Sequence, residues 1–162
     1  MTEVGAIKEV VAEGGKKDVE TRQESAVAAG KEVVKLSEAE IAAILDSIFT
    51  KGFYEEEIEL PRKHRCVFCT RTSGQAIEIS ERLEAGDPGK MTRVRYNQLY
   101  SLYCLCMSLV SFDGEVLPEK LDEKIDLVSK WAGPLTDLLL DKLTEFDRKV
   151  ADAYTADQVK NS

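Results

Sequence analysis

The chain has 162 residues, enough for one domain with some chain left over. Its hydrophobic share of 43% can fill one core, and its 32% of charged residues leaves a net charge of −8. That acidity works against nucleic acid as the main partner, because phosphates need clustered Lys and Arg, and against docking on anionic lipid.

The most apolar run, Leu99 to Phe112, falls short of the ~20 residues of a membrane-spanning helix. Glu3, Lys8 and Glu9 interrupt any secretory signal at the N-terminus. The sequence therefore reads as cytoplasmic and without a membrane partner, with its four cysteines as reduced thiols.

Residues 1–35 contain no aromatic residue and mix Lys and Glu with Gly5, Gly14, Gly15 and Gly30. Such a segment buries too little apolar surface to offset its ordering entropy, so the expectation is a flexible N-terminal arm. Order is expected from Leu36. Ser37 and Glu40 have the spacing of a capping box, with Leu36 and Ile41 as the matching staple. Ile41, Ile44, Leu45, Ile48 and Phe49 follow on one helical face, and Gly52 is placed to end the helix.

In 53–60, Tyr54, Ile58 and Leu60 alternate with Glu55, Glu57 and Glu59, the pattern of a half-buried strand. Pro61 to His64 supplies a turn and 65–72 a return strand, with Cys66, Phe68 and Thr70 on one face. A hairpin of two strands, 53–72, is only marginally stable alone. It must pack on helices or pair with a strand of another chain.

Thr72 and Gln75 repeat the capping-box spacing and open a helix to about Glu84, with Ala76, Ile79 and Leu83 inward. The run 76–79 also fits a third strand. Gly86 to Gly89 is a loop. A long central helix is predicted over 91–112, with one stripe of Leu99, Leu102, Cys106, Leu109 and Val110 and a second of Tyr96, Tyr100 and Tyr103.

Asp113-Gly114 turns the chain, and Pro118 suits the first position of the next helix. Leu121, Ile125, Val128 and Ala132 form its inner face. Gly133-Pro134 starts a last helix with a stripe of Leu135, Leu139, Leu143, Phe146, Val150 and Ala153. Residues 156–162 are polar and read as a frayed tail. The fold class is mainly α (α+β): one helical domain over 36–155 carrying a small β-hairpin.

No constellation supports catalysis, so the chain reads as a non-enzyme with no cofactor. His64, the one histidine, sits among Arg62, Lys63 and Arg65 without a nucleophile in a recognisable setting, and reads as an exposed turn residue. Cys66 and Cys69 form Cys-x-x-Cys, and Cys104 and Cys106 form Cys-x-Cys. Side chains three apart on a strand, or two apart on a helix, diverge, so these thiols read as core residues and no metal site is expected. Tyr96, Tyr100 and Tyr103 fit either a core stripe with its hydroxyls at the rim or a partner surface. Glu55, Glu57 and Glu59 on a strand edge are the other candidate partner-binding residues, since such an edge resists aggregation yet can accept a complementary strand.

Three stretches carry a resemblance. They are Arg71-Thr-Ser-Gly-Gln-Ala-Ile-Glu-Ile-Ser-Glu-Arg-Leu83, Arg95-Tyr-Asn-Gln-Leu-Tyr100 and Ser108-Leu-Val-Ser-Phe-Asp-Gly-Glu115. Together they resemble the tail-assembly chaperones and small tail or baseplate accessory proteins of tailed bacteriophages. The resemblance covers about residues 53–154 and carries over no functional residue, because that family has no active site. It implies binding to other tail proteins (tape-measure, tube or baseplate components) in the host cytoplasm, with retention in the virion and homo-oligomerisation as open options. Two rival readings are a regulatory adaptor binding metal through the four cysteines and a small enzyme whose site carries no motif.

Overall fold

The computed structural model describes residues 36–86, 89 and 91–161, with side chains to 159. The expectation of a flexible arm over 1–35 lies outside the described residues, as does the middle of the loop at 86–89.

The first helix, α1 (Glu38–Lys51), begins at the anticipated capping box. Ser37 Oγ accepts from the Glu40 amide, and the Ser37 amide donates to Glu40 Oε2 at 2.9 Å. Gly52 ends it in the left-handed region at φ 85°, where glycine carries no Cβ penalty. Ile44 and Leu45 are buried. Phe49, expected on the same inward face, is 75% exposed. Periodicity sets the direction of a side chain but not whether a neighbour lies there, and no described element covers Phe49.

The strand β1 (Glu55–Glu59) and its partner β2 (Arg65–Cys69) form the predicted hairpin around a tight turn, Pro61–Lys63. That turn holds Arg62 and Lys63 at φ 63° and 66°. The central helix α3 (Arg93–Ser108) is shorter than expected. Leu109–Phe112 is a strand, β3, which pairs antiparallel with β2 through Cys66↔Phe112, with a bulge between Val67 and Phe68. Asp113 and Gly114, at φ 51° and 82°, make a two-residue hairpin turn into β4 (Glu115–Val116). Two successive positive φ values match the right-handed twist of the flanking strands. Among the described residues the sheet therefore has four antiparallel strands in the order β1-β2-β3-β4, and the hairpin at 53–72 gains its stabilising neighbour from its own chain.

The next element after β2 is the helix α2 (Ser73–Ala85), not a third strand, and both halves of the Thr72/Gln75 capping box form. Ile79 and Leu83 are buried while Ala76 is exposed, against expectation. Pro118 stands outside α4 (Leu121–Val128), whose N-cap is Lys120. Ala132 lies past the end of α4 and is exposed, and Trp131 packs on the core in its place.

The last helix, α5 (Gly133–Asn161), continues past Tyr154 through the segment expected to fray. No Gly or Pro interrupts it after Pro134, and polar residues such as Gln158 are compatible with a helix. The core gathers Phe68 and Cys66 of β2, Leu105 and Leu109 around the end of α3, Ile79 and Leu83 of α2, and Leu139, Leu143 and Phe146 of α5. Phe146 is its aromatic centre, stacked on Tyr54 at 5.9 Å and tilted against Phe68 at 6.0 Å. The outcome is a mainly helical α+β fold.

Candidate partner-binding surface

Among the described residues the outer edge of the sheet is β1, which pairs with β2 on one side only. The Thr70 amide donates to the Tyr54 carbonyl at 2.9 Å and the Leu60 amide to the His64 carbonyl at 2.8 Å. An antiparallel ladder alternates from these two fixed points, so Tyr54, Glu56, Ile58 and Leu60 turn their backbone groups toward β2. The backbone N–H and C=O groups of Glu55, Glu57 and Glu59 consequently point out of the sheet.

The same three residues carry their carboxylates on the exposed face, whereas Glu56 and Ile58 are half-buried. Arg65 reaches across from β2 to Glu57 at 3.1 Å. Glu55 and Glu59 form no ion pair among the described residues.

Behind this edge, Glu56 points inward and meets Lys149 of α5 at 2.6 Å, each side chain about a quarter exposed (26% and 25%). Burial works against the Lys149 ammonium, but the hydrogen bond and charge of Glu56 more than offset it and leave the pKa raised. Burial, and after it the Glu56 charge, raises the Tyr54 hydroxyl. A second tie lies at the end of β2. Arg71 donates to the fully buried Ser108 hydroxyl at 2.8 Å and to Asp147 of α5 at 2.6 Å. Sequence reasoning missed both pairs. Their members are 93 and 76 positions apart, and only the unexplained Glu56 on the inward face of the strand hinted at the first.

The tyrosines divide. Tyr96 and Tyr100 are 43% and 49% exposed, which overturns the core reading for these two, while Tyr103 packs against the core. The neighbouring Cys104 side chain first, and burial after it, hold the Tyr100 hydroxyl above its usual pKa. A groove of about 380 Å³ lies between α3 and α5, lined by Asn97, Gln98, Ser101, Leu102, Thr136, Asp137 and Leu140.

Cys66, Cys104 and Cys106 are buried free thiols and Cys69 is half-buried. Burial pushes Cys66 and Cys106 up to about 11, and burial followed by the Glu55 charge raises Cys69. Thiols held protonated are poor ligands and nucleophiles. No group of three or more potential metal ligands occurs among the described residues. His64 is half-exposed at its turn, as expected, with Nδ1 2.6 Å from Asp113 Oδ2. Asp113 Oδ1 also accepts from the Arg65 amide at 2.9 Å. No helix among the described residues is long and apolar enough to cross a membrane. No family model, curated protein or solved structure matches this chain.

Proposed function

We propose that this chain is an accessory protein of bacteriophage tail morphogenesis, working by contact with other tail proteins and without a reaction of its own. The observation that carries the contact role is β1, a strand with one neighbour among the described residues and an outward row of backbone donors and acceptors. Open edges of this kind are where proteins accept a further strand. Support for the tail setting is the resemblance across Arg71–Glu115. Tape-measure, tube or baseplate proteins are the partners in this reading, met in the host cytoplasm during assembly. The buried, protonated Cys66 and Cys106 speak against a metal-binding adaptor.

The test is affinity purification of the tagged chain from cells assembling phage particles, with mass spectrometry of what accompanies it. Enrichment of tail components over a tag-only control is expected. Purification that brings down no tail component removes the tail assignment.

A further inference from the structure

Building on that contact role, we infer that β1 takes up an extended segment of a partner protein with Lys or Arg at every second position, which joins the sheet as a fifth strand. Three observations meet at this edge. The outward backbone groups of Glu55, Glu57 and Glu59 ask for a strand, since only an extended chain presents donors and acceptors at the matching spacing. The residues of an added strand that lie opposite these three glutamates share their face, so each would meet a carboxylate at cross-strand distance. One of the three carboxylates is engaged by Arg65, while Glu55 and Glu59 form no ion pair among the described residues.

The charge pattern also chooses between occupants. A second copy adding through its own β1 would set carboxylate against carboxylate along the whole edge, which is destabilising for directly opposed like charges. A basic alternating segment turns each of those positions into an attractive pair. Residues between the basic positions fall on the inner face, beside Ile58 and Glu56, so β-branched residues suit them.

The probe is a short synthetic peptide alternating Lys with Thr and Val, added to the full chain while amide exchange is followed residue by residue. The Glu55, Glu57 and Glu59 amides should gain protection, while those of Glu56 and Ile58, already bonded to β2, should be protected with or without peptide. Reversing the charge of Glu55, Glu57 and Glu59 to Lys should weaken binding by about tenfold or more, and added salt should weaken it in the unaltered chain. Should that triple variant fold poorly, two further measurements decide the matter. Glu57→Pro removes an outward N–H at an edge position that tolerates proline, and should abolish the protection. A peptide with Glu in place of Lys should give none.

Equal protection by the Glu peptide, or binding without protection of the three amides, overturns the inference. So does protection of those amides in the free chain, which would mean that a second copy or another part of the chain already fills the edge. Tail proteins that accompany the triple Lys variant as well as the unaltered chain would sink the edge and spare the contact role. Peptide protection with no tail protein recovered would keep the edge and remove the tail assignment.

Discussion

Lys149 and Glu56 meet where α5 crosses the inner face of β1, and neither charge is fully solvated. Glu56 Oε2 is buried and has no hydrogen-bond partner of its own among the described residues. Taking away the ammonium would strand a carboxylate there, whereas removing both charges together would not. Lys149→Met should therefore cost about 1–3 kcal/mol, discounted from the fully buried case because both groups keep some water. Adding Glu56→Gln to it should recover part of that loss, and a double-mutant cycle of urea midpoints reads the difference. Asp113 offers a prediction in pH. The Arg65 amide first, and His64 second, hold its carboxyl below its ordinary value of 3.8. A depressed pKa contributes stability that is full above 3.8 and drains away as pH falls through the folded value. Melts of the unaltered chain and of Asp113→Asn should thus differ at neutral pH and converge in acid. A gap that stays constant down to the acid limit would show that the carboxylate is not what holds the turn.

Elements with chemical signals at their own ends were legible in advance, and those defined by distant pairing were not. The starts of α1 and α2 rest on Ser37/Glu40 and Thr72/Gln75, each three residues apart, and both boxes formed. Leu109–Phe112 misled because its apolar residues continue the stripe of α3, so period alone assigns it to the helix. What makes it a strand is β2, more than forty positions earlier in the chain, through Cys66↔Phe112. The local clue was Asp113-Gly114, a hairpin dipeptide read simply as a turn. The candidate edge was half legible for the same reason. Period-two alternation put Glu55, Glu57 and Glu59 on one face, but which side of the hairpin is left open among the described residues depends on β3 covering β2 and not β1. Gly114 tests the turn directly. At φ 82° with nothing within 4 Å of an added Cβ, alanine would meet backbone strain and no clash, so Gly114→Ala should cost about 1 kcal/mol. Gly133→Ala, at the start of α5 and also in open space, should stay within about 0.5 kcal/mol of the unaltered chain. Equal melting shifts for the two would remove the left-handed turn as the cause.

Across the whole molecule, the polar ties run between elements that the core already brings together. Arg82 of α2 reaches Asp122 of α4 at 2.6 Å, Arg71 joins the end of β2 to Ser108 and to Asp147 of α5, and Lys124 of α4 donates to the Leu109 carbonyl at 2.8 Å. Each of these three closes a long-range link, and the hydrophobic cluster they surround runs from Leu60 to Phe146. Ahead of it, α1 packs along α5 and carries its own capped start at Ser37. Every described member of that core, and both ends of each of these links, lie beyond Leu36. Cooperative unfolding of a small domain depends on such a shared core and not on chain length as such. A chain beginning at Val34 should accordingly keep the helical circular dichroism of the described domain and melt in one transition, with a midpoint close to that of the full chain. Measuring both melts at equal concentration, with urea titrations to compare the slope, checks this. A broadened transition or a clearly lower midpoint in the shortened chain would show that residues 1–33 contribute to the cooperative unit, and the boundary placed at Leu36 would then have to move toward the N-terminus.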